Sequence, residues 1–259
     1  MKTITFANLT DIGRVRTENQ DSLGKFPSDN LDISSPKGQL FIVADGMGGH
    51  AGGREASRLA VETVSKTYFD SSGTIVESLK QAFDAGNKAI YEESLNNPQL
   101  RGMGTTCIAL VLQKGAVYVA HVGDSRLYKI TSKAIEQLTN DHTKVGEMVR
   151  RGIITAGQAE VHPERSMLYR AMGVSAKMEF DVMNGMQLGS EEYYLMCTDG
   201  LTGYVDSAEL KEVVITRPPE EACSLLVEYA NRRGGLDNIT VQIIHVKGDS
   251  FLKSMLQPG

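Results

Sequence analysis

The stretch TTCIALVLQKGAVYVAHVGDSRLYKITSKAIEQLT, residues 105–139, decides the fold class. Its apolar residues form short runs of strand character, separated by turn-favouring dipeptides: Lys-Gly at 114–115, Gly-Asp at 123–124 and Ser-Lys at 132–133. Strands joined by such short turns are antiparallel neighbours, because a parallel connection needs a dozen or more residues. The stretch therefore predicts a meander of short antiparallel strands.

Helical segments flank this meander in pairs. The segments in which apolar residues recur at helical spacing are residues 54–69, 75–95, 207–215 and 219–233. Further apolar runs of buried-strand length lie at residues 40–44, 193–198 and 239–246. This order of elements favours an α+β fold, in which antiparallel sheet is layered with helices, over a parallel doubly wound sheet.

The composition and charge restrict the partners. The chain has 259 residues and is 41% hydrophobic, which is enough to bury a large core. Its 27 Lys and Arg residues are outnumbered by 32 Asp and Glu residues, so the net charge is -5. The sequence contains no basic run that could follow a phosphate backbone. Nucleic acid is therefore not expected as a partner.

The cysteines and the apolar runs bear on cellular location. Cys107, Cys197 and Cys223 are scattered and odd in number, which indicates free thiols in a reducing compartment. The N-terminus has no apolar segment of signal-peptide length, and no apolar run approaches the roughly 18 residues that span a bilayer. We therefore expect a cytoplasmic protein with no membrane partner.

The stretch FIVADGMGGHAGGREAS, residues 41–57, places the carboxylate of Asp45 between a buried strand and a glycine-rich turn. A strand, a glycine-rich turn and a helix suggest dinucleotide binding, but the G-x-G-x-x-G pattern needs a third glycine where Ala51 stands. The Asp45 carboxylate would also repel a pyrophosphate. The chain has no G-x-x-x-x-G-K-[ST] phosphate loop either. These observations argue against a nucleotide and leave a metal ion or an ordinary turn.

Aspartates recur where apolar strand segments end or begin, as Asp45 in FIVADG, Asp124 in VAHVGDS, Asp199 in YLMCTDG and Asp237 in LDNITVQI. Strand ends can converge at one edge, where gathered carboxylates repel one another unless cations neutralise them. An all-oxygen ligand set suits Mg²⁺ or Mn²⁺ and not Zn²⁺. Asp-Gly and Asp-Ser are also common turn residues, which would explain any one position alone. Their recurrence in the same setting favours a metal centre.

Motifs along most of the chain carry a family resemblance. They are DIGRVRTENQDS, VADGMGGHAGGREAS, GMGTTCIALVL, VAHVGDSRLYKI, LTNDHT, CTDGLTGYV and DNITVQII. In this order they resemble bacterial metal-dependent serine/threonine protein phosphatases of the protein phosphatase 2C (PPM) family, from about Asp11 to Ile244. The resemblance implies a four-layer α-β-β-α sandwich of two stacked antiparallel sheets flanked by pairs of helices. It also implies a catalytic domain at residues 1–247, with a flap at about 141–172 and a C-terminal tail at 248–259.

The resemblance further implies hydrolysis of phosphoserine and phosphothreonine in proteins with two Mn²⁺ or Mg²⁺ ions. Asp45 matches the ligand that bridges both ions, and the carbonyl of Gly46 matches a ligand of one of them. Asp199 and Asp237 match the remaining carboxylate ligands of the other ion. Asp21 matches an acid that holds metal-bound waters. Asp124 matches the ligand that shares a third, weaker ion with Asp199.

Arg16 matches the arginine that binds the substrate phosphate, although composition alone would make it an ordinary surface arginine. Met47 stands where eukaryotic relatives carry a histidine proposed as general acid. His50 is the candidate here, either for protonating the leaving oxygen or for a hydrogen bond near the phosphate. The histidines expected to be structural are His121, His142, His162 and His245.

The expected reaction is direct in-line attack on phosphorus by a water or hydroxide that bridges the two ions, without a phosphoenzyme. No C-x₅-R loop is present, so Cys197 is expected to be a packed strand residue and not a nucleophile. The expected partners are phosphorylated proteins and an opposing serine/threonine kinase, and the chain is expected to be a monomer.

Two other functions use the same residue types. A catalytically inactive regulator that binds phosphoproteins would be expected to lack Asp45, Asp199 or Asp237, and all are present. A two-metal nuclease uses similar carboxylates, but the acidic net charge and the absence of a basic stripe argue against it.

Overall fold

The structure is a computed structural model that describes residues 2–29 and 31–248, leaving aside the side chains of residues 49–51, 156 and 160. Its strands are β1 (Lys2–Asp11), β2 (Asp21–Phe26), β3 (Gln39–Met47), β4 (Gly104–Thr105), β5 (Cys107–Gln113), β6 (Ala116–Val122), β7 (Arg126–Ile130), β8 (Ile135–Gln137), β9 (Asp181–Gln187), β10 (Glu191–Cys197) and β11 (Ile239–Gly248). Its α-helices are α1 (Gly49–Asp70), α2 (Ile75–Asn96), α3 (Lys144–Arg150), α4 (Ala156–Glu160), α5 (Asp199–Thr202), α6 (Ser207–Thr216) and α7 (Pro219–Arg232).

Within the described residues the strands form two antiparallel sheets. One has the order β1-β11-β10-β7-β8, and the other has the order β2-β3-β5-β6-β9, with β4 paired to β3. The two sheets stack face to face, and helices cover both outer faces. The four-layer α-β-β-α sandwich is therefore confirmed for the described part of the chain.

The strand β3 shows how the sequence produces this layering. Its alternate residues Leu40, Ile42 and Ala44 pack in the cluster formed with α1 and α2, whereas Phe41 and Val43 pack between the sheets. Because successive side chains of a strand point to opposite faces, a strand buried on both faces must be apolar throughout. This explains the continuous apolar run before Asp45.

A third cluster packs α6 and α7 against the sheet that contains β10 and β11.

The predicted meander is wrong at one turn. β5 pairs with β6 in one sheet and β7 pairs with β8 in the other, so the chain crosses between the sheets at Gly123-Asp124. Gly-Asp favours a turn whether or not the two flanking strands pair with each other. Here each flanking strand pairs with other strands in its own sheet. The crossing places Asp124 where the two sheets meet.

The start of α1 also differs from the prediction, because the helix begins at Gly49 and not at residue 54. The glycines there carry no apolar periodicity. Gly48 adopts a φ of 123°, and a Cβ on it would lie 2.7 Å from the Met103 Cα atom. Only glycine permits this turn. By contrast, α2 begins as its sequence indicates, with a capping box between Thr74 and Glu77.

The apolar pattern does not locate β1, β2 or β9, each of which lies at an edge of its sheet. Their side chains are largely half-buried or exposed, so the alternation of apolar and polar residues is weak.

Residues 141–172, expected to form a flap, contain α3 and α4. Residues 249–259 of the predicted tail lie outside the described residues. In the described part of the chain, no helix combines the length and apolar character needed to cross a membrane.

Candidate metal centre

Aspartates from separate elements gather at one edge of the sandwich. Asp45 lies near the end of β3, Asp124 in the crossing between β6 and β7, Asp199 at the start of α5 after β10, and Asp237 just before β11. Burial raises the pKa of Asp45 well above its ordinary value, and the negative charges of Asp21, Asp199, Asp124 and Asp237 raise it further. The structure therefore brings together the carboxylates that the sequence singled out.

Asp21 is the most deeply placed of these acids. It is buried, and its Oδ2 atom accepts hydrogen bonds from Thr240 Oγ1 at 2.6 Å and from Thr198 Oγ1 at 3.0 Å. Its Oδ1 atom is buried without a hydrogen-bond partner among the residues that the structure describes. Burial is the main cause that raises the pKa of Asp21 to about 7, against the two threonine hydrogen bonds. A buried carboxylate oxygen with no protein donor is suited to accept a hydrogen bond from a bound water or to bind a cation directly.

The pKa values of Asp124 and Asp199 are raised for the same reason. Burial, followed by the charges of Asp199 and Asp141, raises the pKa of Asp124 to about 8. Burial, followed by the charge of Asp237, raises the pKa of Asp199, while a hydrogen bond with Asp45 opposes the shift. These carboxylates are held together at the cost of mutual repulsion, which a bound cation would relieve.

Threonines hold the main chain around Asp45. The Asp45 amide donates to Thr106 Oγ1 at 2.9 Å, and the Asp45 carbonyl accepts from Thr105 Oγ1 at 2.8 Å. Thr106 Oγ1 also hydrogen-bonds Ser125 Oγ at 2.7 Å, beside Asp124. The hydroxyls therefore connect the end of β3 to the crossing between the sheets. Sequence reasoning assigned them no role, because an isolated Thr-Thr pair in a strand carries no chemical signal.

Glycines allow the acid-bearing turns to approach one another. A Cβ on Gly46 would lie 2.0 Å from the Gly53 carbonyl oxygen, so the end of β3 passes directly over the start of α1. A Cβ on Gly200 would lie 2.0 Å from the Asn238 carbonyl oxygen. That close approach brings the turn of Asp199 against the turn of Asp237. These glycines serve backbone packing at the centre and not phosphate binding by a nucleotide loop.

Arg16 extends over the acidic edge. Its Nη2 atom lies 2.7 Å from Asp237 Oδ2, and its side chain is half-exposed. Asn238 anchors the loop that carries Arg16, donating through Nδ2 to the carbonyls of Ile12 and Glu18 and accepting from the Gln20 amide. The structure therefore places the predicted phosphate-binding arginine beside the carboxylates. The side chain of His50, the candidate general acid, lies outside the described residues.

The donor set fits divalent cations that prefer oxygen. It consists of carboxylate oxygens, among them the unpartnered Oδ1 atom of Asp21, and no histidine or cysteine is among the charged groups that act on Asp45. Such a set suits Mg²⁺ or Mn²⁺ and not Zn²⁺. With an exposed arginine beside it, the centre is suited to metal-assisted hydrolysis of a phosphate ester. Fold and site together define the class of metal-dependent phosphatases.

Comparisons with known proteins agree with this class. The sequence profile of the family described as Protein phosphatase 2C matches residues 14–217. The serine/threonine phosphatase stp of Listeria innocua serovar 6a is 36% identical over 241 residues, which are 91% of this chain and 93% of that protein. The crystal structure of the Mycobacterium tuberculosis serine/threonine phosphatase PstP/Ppp has a TM-score of 0.84 at 33% identity, covering 94% of this chain and 99% of that chain. The catalytic domain of PstP in complex with 2 manganese ions has a TM-score of 0.82 at 31% identity, covering 95% and 100%.

The chain therefore belongs to the protein phosphatase 2C family. It is a metal-dependent serine/threonine protein phosphatase, and its substrates are phosphorylated proteins. The fold neighbours are phosphatases of the same kind, as the resemblance in the sequence predicted. Nothing in the comparisons favours the inactive regulator of the same fold.

Proposed function

We propose that the chain holds two Mn²⁺ or Mg²⁺ ions through Asp45, Gly46, Asp199 and Asp237, and hydrolyses phosphoserine and phosphothreonine without a phosphoenzyme. Bound divalent cations lower the pKa of a water nucleophile, align it with the leaving oxygen and offset charge on the phosphoryl group. The observation that carries this proposal is the set of acidic charges that act together on Asp45. The PstP catalytic domain with 2 manganese ions supports the number and the type of ion.

The carboxylates divide into ligands and supporting groups. Asp45 is proposed to bridge the two ions, since it lies at the centre of the other acids, and the Gly46 carbonyl adds an oxygen without adding charge. Asp199 and Asp237 complete the site from the other sheet. Asp21 is proposed to hold metal-bound water through its unpartnered Oδ1 atom. Asp124, with Asp199, is proposed to hold a third, weaker ion, supported by the effect of Asp199 on its pKa.

Arg16 is proposed to bind the substrate phosphate. Its guanidinium is half-exposed and lies against Asp237, so it can exchange one oxygen partner for two phosphate oxygens in a bidentate arrangement. His50 is proposed to donate a proton to the leaving oxygen or to hydrogen-bond near the phosphate. No cysteine is proposed as a nucleophile, because burial raises the pKa of Cys197 to about 12 and keeps its thiol protonated.

The remaining proposals concern organisation and setting. We propose a single catalytic domain at residues 1–247 with a flap at 141–172 that shapes access to the centre, acting as a monomer against a serine/threonine kinase. Apolar side chains exposed on the flap, among them Ile153, Val161 and Met167, suit contact with a protein substrate. The cytoplasmic location stays a prediction, which the free and buried state of all three cysteines supports.

The proposal is tested by phosphate release from a phosphothreonine peptide in Mn²⁺, in Mg²⁺ and in EDTA. Wild type is expected to be active in Mn²⁺ or Mg²⁺ and inactive in EDTA, and Asp199→Asn is expected to abolish release. Asp84→Asn, which removes an exposed carboxylate on α2, is the matched control and is expected to keep full activity. Wild type that binds the phosphopeptide without releasing phosphate would point to the inactive regulator. Cleavage of a phosphodiester but not of the peptide would point to the nuclease.

A further inference from the structure

A second group of polar side chains lies outside the carboxylate centre. His121 on β6 and Asp181 on β9 are paired in register, and His142 stands at the start of the flap. One ligand atom from each of the three lies within 4.8 Å of the others, and His142 Nε2 lies 3.3 Å from Asp181 Oδ2. Both histidines are buried. This is the composition and spacing of a possible metal site.

The hydrogen bonds assign the group a different role. The Gly123 amide donates to His142 Nδ1 at 3.1 Å, so in the neutral ring the proton is on Nε2, which faces Asp181. A metal at Nε2 would have to displace that proton and force one onto Nδ1, against the Gly123 amide. The rings of His121 and His142 are also layered, with centroids 4.8 Å apart and planes at 31°, so their in-plane lone pairs converge poorly on one ion. These contacts make His142 a hydrogen-bonded support of the Gly123 main chain and not a metal ligand.

His142 supports the crossing between the sheets through two hydrogen bonds to one residue. Its amide donates to the Gly123 carbonyl at 2.9 Å, while its ring accepts from the Gly123 amide. Gly123 has a φ of 106°, and a Cβ on it would lie 2.5 Å from Thr106 Cγ2. Both main-chain polar groups of this buried glycine are thus satisfied by His142. The next residue is Asp124.

We propose that His142 is a positioning residue, which holds the Gly123 main chain so that the Asp124 carboxylate stays at the metal centre. This inference rests on the proposed role of Asp124 as a ligand of the third ion. His142 also accepts a hydrogen bond from the Tyr169 amide through its carbonyl, and packs edge-on against the Tyr169 ring. The base of the flap and the turn of Asp124 therefore form one hydrogen-bonded unit.

Two substitutions of His142 distinguish the contribution of Nδ1 from that of Nε2. In His142→Asn the amide oxygen can take the position of Nδ1 and accept from Gly123, whereas in His142→Gln the amide reaches the position of Nε2 and leaves the Gly123 amide buried and unpaired. Mn²⁺ binding is measured by the electron paramagnetic resonance signal of the free ion during titration, and thermal unfolding is measured in EDTA. His142→Asn is expected to bind Mn²⁺ like wild type. His142→Gln is expected to weaken the weakest Mn²⁺ site by about 10-fold or more, the usual effect of losing a support of a metal ligand.

The proposal is overturned if His142→Gln binds Mn²⁺ like wild type, whatever its thermal stability, or if the Asn and Gln variants weaken binding equally. A third variant, Asp124→Asn, tests separately whether Asp124 is a ligand of the third ion. If Asp124→Asn weakens the same site and His142→Gln does not, only the role of His142 falls. If Asp124→Asn leaves every Mn²⁺ site unchanged, the third-ion assignment falls and the inference falls with it. If the wild-type protein binds no Mn²⁺ at all, the proposed metal centre itself is wrong.

Discussion

Asp21 and Asp45 stand directly opposite each other on the antiparallel strands β2 and β3. Like charges at facing positions of a sheet destabilise it, and here burial raises the pKa of both carboxyls as well. The pair is held by surrounding structure, since Thr198 and Thr240 bind Asp21 while Thr105 and Thr106 bind the main chain of Asp45. In the proposed function, cations held by these carboxylates relieve the repulsion between them.

The first prediction is that the metal-free protein becomes less stable as the pH rises. In the folded state the pKa of Asp21 is raised from 3.8 to about 7, and that of Asp124 to about 8. Between the ordinary and the raised pKa these carboxyls bind more protons in the folded state than in the unfolded state, so they lower the free energy of unfolding as the pH rises. Burial lowers the pKa of His121 to about 3, and this ring acts in the opposite direction below about pH 6.5, but the raised carboxyls outnumber it. Thermal unfolding in EDTA at about pH 5 and about pH 8 measures this difference. Asp21→Asn is expected to flatten it, and a wild-type Tm that is higher at the upper pH would contradict the prediction.

The second prediction concerns Asp45→Asn near pH 8. The variant is expected to unfold at a higher temperature than wild type in EDTA, because it removes the carboxylate on which the charges of Asp21, Asp199, Asp124 and Asp237 all act. A gain of about 1 kcal/mol corresponds to ~2–4 °C for a chain of this size. The variant is also expected to lose the stabilisation by Mn²⁺, which for wild type is about 2.7 kcal/mol at a hundredfold excess over Kd. Calorimetry with and without Mn²⁺ measures both effects, and an Asn variant that Mn²⁺ still stabilises would exclude Asp45 as a ligand.

The third prediction concerns Arg16. Arg16→Lys keeps the positive charge but loses the planar fork, so kcat/KM for a phosphothreonine peptide is expected to fall by about 10- to 100-fold. The Kd for Mn²⁺ is expected to change little, since a guanidinium is not a metal ligand. Arg14→Lys, an exposed arginine on the same loop, is the control and is expected to retain wild-type kinetics. Wild-type kinetics in Arg16→Lys would mean that positive charge alone, and not the fork of Arg16, assists the reaction.

The fourth prediction concerns the glycine that follows Asp45. Gly46→Ala would place a Cβ 2.0 Å from a main-chain oxygen of Gly53, and is expected to destabilise the protein by about 1–3 kcal/mol and to weaken Mn²⁺ binding. Gly157→Ala in α4 is the matched control, because no heavy atom lies within 4 Å of its Cβ position, and it is expected to be neutral or slightly stabilising. Chemical denaturation and Mn²⁺ titration of both variants measure the effects. Wild-type Mn²⁺ affinity in Gly46→Ala would show that the close crossing is not needed for the centre.

The sequence could predict the buried strands and long helices, because burial on both faces gives β3, β5 and β10 apolar runs and burial of one face gives α2 and α7 helical apolar periodicity. It could also predict the acids Asp45, Asp124, Asp199 and Asp237, because each interrupts or borders an apolar run. The edge strands β1, β2 and β9 escaped prediction, since one-sided or weak burial produces little periodicity. The crossing at Gly123-Asp124 was predicted as a hairpin, since a turn dipeptide does not specify whether its strands pair.

The amino-acid sequence by itself determined the layered α+β class, the acidic all-oxygen character of the centre and the family to which the chain belongs. Only the tertiary structure decided which residues support that centre, such as Thr106, Thr198, Thr240 and His142. Their chemistry is ordinary for a strand or a loop, and it becomes specific only where distant segments meet. Asp21 and Asp45 show the physical reason, because their charges affect each other strongly only after β2 and β3 pair and bring the two carboxylates together in a largely buried setting.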